Sequence, residues 1–356
     1  MPNTRLVQTA FFMDYQIQVA RRVEDIGQPA WDYLSHEQPF TSYQWYRFAE
    51  HSLANETSQY LIISRDHEPL ARATFWVVSR DFLPVSSPIL RTLIAATLRR
   101  WPLLVCRAPL TSRSGLVMPA NADLHDSILG AVTRGAQELM RTWHASAGLF
   151  DYLDQAEMDW PGWPGAWRTT SFSRPGTCLN IAWTSFEAYL HHLSKSMQKD
   201  YRRHRNRAAD LGISVAVDQS PPPAADALRL IRNVERHHGS SANPLTNTLL
   251  HTPEMNGSWW LKATIGDRLV GCGLLLGEKD ARFLALLGLD YEVQYVYFQL
   301  FYAAIRQAID AGLHTLHGGG GAYDIKQRLG FVLESNHFAR YAVRGRWMNW
   351  LARQLA

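Results

Sequence analysis

The sequence predicts a mixed α/β (α+β) protein of two domains in tandem, and three observations point there. The chain has 356 residues, about twice the ~150 of an ordinary domain. Helix-like and strand-like patterns alternate through the first half, and the second half repeats the alternation around three consecutive strand-like runs. Hydrophobic residues make up 46% and charged residues 19%, a composition that fills cores and excludes wholesale disorder.

In the first half, residues 40–51 (FTSYQWYRFAEH) read as an aromatic-rich helix start. Residues 60–65 and 70–79 read as a hairpin around the turn Asp66-His67-Glu68-Pro69. Residues 124–143 carry Leu124, Ile128, Val132, Leu139 and Met140 at helical spacing, and a strand over 148–153 follows. The Trp/Pro/Gly run 160–167 reads as a loop and 177–183 as a short strand. The second half opens with one long helix over 185–211, with Ser185 as N-cap and Gly212 as its stop. A strand at 213–217, a triple-proline turn and a helix over 224–237 come next. The runs 259–265, 268–276 and 281–289 form an antiparallel meander. A helix over 296–311, a strand at 313–317, four glycines, a short helix at 323–329 and a last strand after Gly330 complete the order. The expected division is 1–180, 181–342 and an amphipathic tail, 343–356.

Thirty-six Lys and Arg against 32 Asp and Glu give a net charge of +4. That suits an anionic substrate or phosphate-bearing donor without requiring nucleic acid, and no DNA partner is expected. Cys106, Cys178 and Cys272 are odd in number and widely spaced, so neither a disulfide framework nor a zinc motif is indicated. The N-terminus lacks the apolar core of a secretory signal, and the run 88–105 is interrupted by Arg91, Arg99 and Arg100. A cytoplasmic chain without a transmembrane segment is the expectation.

Two motifs stand out. In SKSMQKDYRRHRNR, residues 194–207, six basic residues accompany a single Asp. Helical spacing puts Phe186, Leu190, Leu193, Met197 and Tyr201 on one face and Lys195, Lys199, Arg202 and Asn206 on the other. Such a face is either merely solvated or a phosphate clamp, and composition leaves both open. In LHTLHGGGGAYDIKQRLGF, residues 313–331, a strand empties into four glycines and then a Lys on a helix. Glycines admit close backbone approach and turn N–H groups toward an anion, or simply supply positive φ. The spacing matches neither a Walker loop nor a GxGxxG fingerprint.

These segments resemble the Fem-type (FemAB-like) branch of the GNAT acyltransferase superfamily. The resemblance rests on EAYLHHLSKSMQKDYRRHRNRAADLGISV, DYEVQYVYFQLFYAAIRQAIDAGL and GGGGAYDIKQRLGF, supported by FTSYQWYRFAEHS and YLIISRDHEPLARATFWVVS, and covers most of residues 38–340. It implies two GNAT-like domains, each a mostly antiparallel central sheet flanked by helices. It also implies aminolysis of an activated acyl group, with substrate between the domains or on the second. The donor would be aminoacyl-tRNA or acyl-CoA, the acceptor a small-molecule or lipid-linked amine, and no permanently bound cofactor is expected. The family's Ile-Arg pair reads Tyr201-Arg202 here, with Gln198 in place of a preceding Arg. Its Phe-Lys-x-x-Phe-Gly motif reads Ile325-Lys326-Gln327-Arg328-Leu329-Gly330, both aromatics having become aliphatic. The resemblance thus puts Lys326 beside the reacting carbonyl, as a stabiliser of the oxyanion.

Coenzyme A users carry a glycine-bearing pyrophosphate loop between the fourth strand and the next helix. Residues 290–297 (DYEVQYVY) contain no glycine, which favours another donor. The candidate catalytic group is Lys326. Substrate contacts are expected from Lys199, Arg202, Arg203, Tyr291, Tyr297, Gly319, Gly320, Gly321 and Tyr323. Asp290 and Glu292 are either a base for the amine or solvated acids. Tyr291, Tyr295, Tyr297 and Tyr302 either line an acceptor pocket or belong partly to the core. His237-His238 and His314-x-x-His317 lack a third ligand at usual spacing, so no metal is expected. The Trp-rich stretch 344–351 either touches a membrane or caps its own core. Arg202 and Lys326 are expected to meet in one cavity. A non-catalytic RNA or anionic-ligand binder and an acetyl-CoA-dependent N-acetyltransferase with a divergent loop remain as alternatives.

Overall fold

The computed structural model describes residues 8–12, 14–35, 38–53, 57–79, 88–171, 175–239, 242–243, 245–251 and 258–344. In chain order the first elements are β1 (Gln8–Phe12), β2 (Tyr15–Ala20), α1 (Gln28–Leu34), α2 (Tyr43–Ser52), β3 (Thr57–Arg65), β4 (Glu68–Val78), α3 (Pro88–Arg100), β5 (Leu103–Cys106), β6 (Leu116–Val117), α4 (His125–Thr142), β7 (Ala147–Leu153), α5 (Gln155–Met158) and β8 (Arg168–Ser171). Then come β9 (Thr177–Asn180), α6 (Phe186–His192), α7 (Lys195–Asp210), β10 (Ile213–Asp218), α8 (Ala224–His237), α9 (Thr246–His251), β11 (Trp259–Ile265), β12 (Arg268–Glu278) and β13 (Ala281–Leu289). The chain closes with α10 (Val296–Asp310), β14 (Thr315–His317), α11 (Tyr323–Arg328), β15 (Val332–Leu333) and β16 (Phe338–Val343).

The described residues fall into two compact units, one made of residues up to 79, 88–175 and 335–344, the other of residues 176–334. The first unit's sheet runs β1-β2-β3-β4-β5-β7-β16-β8, with β6 on β4. Its pairs are antiparallel except β5–β7, which α4 joins as a crossover. The β3–β4 hairpin turns on Asp66 (φ 52) and His67 (φ 68), the paired left-handed residues whose twist matches that of the strands. Ile128, Leu129, Val132, Ala136 and Leu139 form the buried stripe of α4 in this core. On the other face of β4 Arg72 is buried, its guanidinium 4.1 Å from the Trp31 ring centre and 2.9 Å from the Thr41 carbonyl.

The second unit's sheet runs β10-β11-β12-β13-β14-β9-β15, and β13–β14 is its parallel pair. Helix α10 crosses between those two strands and lays Val296, Leu300, Ala304, Ile305 and Ala308 into the core. The close seating needs Gly271, because a Cβ there would lie 2.3 Å from Val296 Cγ1. Pairing between β13 and β14 covers Ala281 to Phe283 against Thr315 to His317. Beyond Phe283, β13 runs on to Leu289 while the other chain turns off at Gly318. The parallel pair therefore opens at the glycine run.

Expected and observed elements differ in instructive places. The helix expected over 185–211 is two helices: Leu193 is extended (ψ 155), and Ser194 Oγ accepts the Met197 N–H at 3.3 Å to cap α7. Apolar spacing runs in phase across the break, which hides it from a periodicity reading. The division at 180/181 and 342/343 is also displaced. Strand β9 pairs with β14 and β15 in the second sheet, whereas β16 returns to the first and inserts between β7 and β8. Such non-local pairing leaves no mark on local composition. Of the expected tail, Val343 ends β16 and residues 345–356 lie outside the described residues.

Candidate active site in the second unit

The glycine run follows β14 directly. Gly318 N–H donates to the Thr177 carbonyl (2.8 Å), and Thr177 Oγ1 donates to the Gly319 carbonyl (2.7 Å), which fixes the loop to β9. From α11, Lys326 reaches underneath. Its Nζ donates to the carbonyls of Gly318 (2.7 Å), Gly319 (3.0 Å) and Gly320 (3.4 Å), and the residue is 4% exposed. An ammonium has three N–H donors, so all are spent on backbone. Burial pushes Lys326 down to about 8, with the Glu334 carboxylate opposing.

That arrangement sets the direction of the other half of each peptide. In a planar trans peptide, the carbonyl of one residue and the N–H of the next point opposite ways. Carbonyls of Gly318, Gly319 and Gly320 drawn onto Lys326 therefore turn the N–H groups of Gly319, Gly320 and Gly321 away from it. Gly319 (φ +66) and Gly321 (φ +82) occupy the left-handed region, where a side chain is strained. Consecutive outward N–H groups over a buried cation make a concavity suited to an anion or oxyanion.

Lys326, expected beside the reacting carbonyl, is thus beneath the loop that would receive it. It positions the loop; with every donor engaged and little surface exposed, it has no N–H left to offer an oxyanion. Arg202 and Lys199 lie exposed on α7, without an ion-pair partner among the described residues. Arg203 is engaged, 2.8 Å from Asp200 Oδ1. The same buried carboxylate pairs with Arg328 of α11, tying the basic helix to the helix that carries Lys326. The expected cavity shared by Arg202 and Lys326 is not formed, since one side chain faces solvent and the other the loop interior. What joins their helices is Asp200.

Among the tyrosines, Tyr291 is exposed and stacks on His237 at 4.0 Å. Tyr297 stacks on Phe301 (4.6 Å), and its buried hydroxyl has no hydrogen-bond partner among the described residues, burial pushing the phenol well above its usual range. Phe301 meets Phe331 (5.9 Å), whose ring lies 3.1 Å from where a Gly318 Cβ would sit. An aromatic path thus runs from the start of α10 to the glycine loop. Tyr323, half-buried, opens α11 directly after the loop. Asp290 is occupied in holding its own loop, accepting the Glu292 N–H (3.1 Å) and pairing with Arg268 (3.4 Å), while Glu292 is exposed.

Other groups had no local signal in the sequence. His204 Nδ1 lies 3.1 Å from the Tyr302 hydroxyl and its ring stacks on Phe298 at 3.9 Å; burial, then Arg203, holds the imidazole below its usual range. A cleft of about 640 Å³ opens beside α10, bounded by Tyr201, Trp259, Tyr302 and Arg306. Among the described residues, buried Gln299 Nε2 and Gln307 Oε1 on that same boundary have no hydrogen-bond partner. Of the histidines in the two sequence pairs, His237 packs on Tyr291, His314 pairs with Asp280 (2.6 Å) and buried His317 with Glu334 (2.7 Å).

Two mostly antiparallel sheets, each with one parallel pair, define a tandem GNAT-type fold. FemX superposes with a TM-score of 0.58 at 11% identity, covering 92% of this chain and 97% of its own. A tandem GNAT protein from the clavulanic acid biosynthesis pathway gives 0.52 at 12% identity, over 92% and 99%. The C-terminal domain of a putative lysylphosphatidylglycerol synthetase from Agrobacterium fabrum gives 0.53 at 10% identity, over 92% and 93%. At such identities the likeness is one of fold. No curated protein sequence matches the chain. Over residues 22–355 it matches the FemAB-like family of peptidoglycan biosynthesis/recognition, and the chain belongs to that family. Among the described residues no helix is long and apolar enough to cross a membrane.

Proposed function

We propose that the protein transfers an aminoacyl group from a phosphate-bearing ester donor, with charged tRNA the family's precedent, to an amine of a lipid-linked cell-wall precursor. The observation that carries the reading is the grip of Lys326 on three consecutive glycine carbonyls. The acceptor amine attacks the donor's ester carbonyl, and the oxygen that gains charge is received by the N–H groups of Gly319, Gly320 and Gly321. The amine's proton leaves as the ester alkoxide departs, giving an amide and a free hydroxyl. Lys199 and Arg202 supply the cationic face for the donor's phosphates. Tyr291, Tyr297 and Tyr323 flank the approach to the loop, and the aromatic path from Tyr297 to Phe331 bounds its apolar side. Arg203, paired with Asp200 within α7, holds the carboxylate by which Arg328 fixes α11 to α7.

An acetyl-CoA donor fits poorly. The turn before α10 holds Asp290 and Glu292 where a pyrophosphate would need N–H groups and positive charge. The test combines labelled aminoacyl-tRNA with a lipid-linked peptide acceptor, and in parallel titrates coenzyme A by calorimetry. Amide product with no coenzyme A binding supports the reading. Tight coenzyme A binding with acetyl transfer, or RNA binding without transfer, refutes it.

A further inference from the structure

Three side chains that the acyl-transfer reading leaves unused converge on one face of the second sheet. Cys178 of β9, His317 of β14 and Glu334, which follows β15, bring Sγ, an imidazole nitrogen and a carboxylate oxygen within 4.8 Å of one another. His317 and Cys178 are directly opposed in the antiparallel register, and cross-strand partners share a face. Val332 opposes Cys178 on the other side, and the Glu334 N–H donates to the Gly176 carbonyl at 3.0 Å. The three groups therefore stand on three adjacent strand ends, a rigid mounting. Gly176 opens the space for the third: a Cβ there would lie 1.8 Å from Glu334 Oε2. With that space free, the carboxylate reaches over β9 to within 2.7 Å of His317 Nδ1.

We propose that Cys178, His317 and Glu334 form a binding site for a divalent metal ion of the zinc type. A thiolate, an imidazole and a carboxylate form a borderline-soft donor set, which suits zinc and cobalt and poorly suits magnesium or calcium. Bonds of about 2.0–2.3 Å to each ligand put tetrahedral ligand atoms roughly 3.3–3.8 Å apart. From mutual distances within 4.8 Å, side-chain adjustments of about 1 Å close the set. Binding expels the thiol proton and the proton between His317 Nδ1 and Glu334 to solvent. A nucleophilic Cys–His–Glu triad uses the same residues, but Cys178 is 8% and His317 5% exposed, access that suits an ion far better than an acyl ester.

The ion's task would be to fix strand ends. His317 immediately precedes Gly318, and Cys178 follows Thr177, whose hydroxyl holds the Gly319 carbonyl. A metal bridging β9, β14 and the segment after β15 pins the base of the glycine loop from the face opposite the α10 core. Neither local spacing nor the histidine pairs reveal the set, because its members come from three distant parts of the chain.

The test uses the full-length, tag-free protein reduced and stripped of metal, then loaded with one equivalent of zinc or cobalt and desalted. Retention of about one zinc per chain is expected. The cobalt form is expected to show tetrahedral d–d bands and a near-ultraviolet thiolate-to-cobalt charge-transfer band. Cys178→Ser, nearly isosteric, should abolish that band and weaken zinc binding at least about 100-fold, more than loss of an outer-shell partner. His317→Gln should weaken it likewise, while His314→Ala, which removes the exposed His314–Asp280 pair, should leave it unchanged. Absence of the charge-transfer band in the wild-type cobalt form overturns the proposal without recourse to any variant. So does zinc uptake that survives Cys178→Ser, uptake lost in His314→Ala, or an acyl thioester found on Cys178 during turnover.

Discussion

Lys326 does its work through hydrogen bonds to backbone, and the consequence is a specific dependence on pH. With its ammonium held down to about 8 by burial, the folded protein loses that proton as pH rises through 8. A neutral amine has two donors for three carbonyls. Transfer activity is therefore expected to fall along an alkaline limb near pH 8, read from kcat/KM against pH. Stability moves the other way. The folded pKa lies below the unfolded value of 10.5, so between about 8 and 10.5 the unfolded chain binds more protons. This group's contribution to unfolding free energy is flat below 8 and rises across that window. A second residue probes the loop without touching Lys326. Gly319→Ala meets no atom within 4 Å but must hold φ +66, which costs about 1–2 kcal/mol locally. It should lower transfer at least tenfold while shifting the global denaturation midpoint little; undiminished transfer would count against the N–H array.

At the scale of elements, α7 separates cations that are free from cations that are engaged. Lys199→Ala and Arg202→Ala together should reduce the salt slope of tRNA binding by roughly two, one per phosphate contact. Arg203→Ala should change that slope less, because its guanidinium already pairs with Asp200; equal effects in filter binding would contradict this division. The elements also show what could be read from sequence. The hairpin around Asp66-His67, the meander at β11 to β13 and the limits of α8 were legible because turn residues and local periodicity encode them. The break at Leu193 was not, since Ser194 caps a helix whose apolar stripe stays in phase with the one before. Nor were the partners of Lys326: its place on a helix after four glycines was plain, but the carbonyls it grips depend on the path of the loop. Asp200 with Arg328, and His204 with Tyr302, are meetings of distant segments for which a single sequence carries no spacing signal.

For the whole molecule, the chain's return into its first sheet matters most. Strand β16 lies between β7 and β8, so β8 is held to the sheet through a strand that arrives after the whole second unit. Truncation after Glu334 should strip β8 of its partner and expose the part of the first core around Trp167. The N-terminal unit is then expected to unfold at lower denaturant. The role proposed for Lys326 is to turn the N–H groups of Gly319, Gly320 and Gly321 toward the reacting carbonyl. Its most direct measurement is aminoacyl transfer from charged tRNA to a lipid-linked peptide acceptor by the wild type and Lys326→Met, with kcat and donor Kd determined separately. The account predicts a loss of 10²–10³-fold in kcat with donor affinity nearly unchanged; full turnover by Lys326→Met, folded as the wild type, would contradict it.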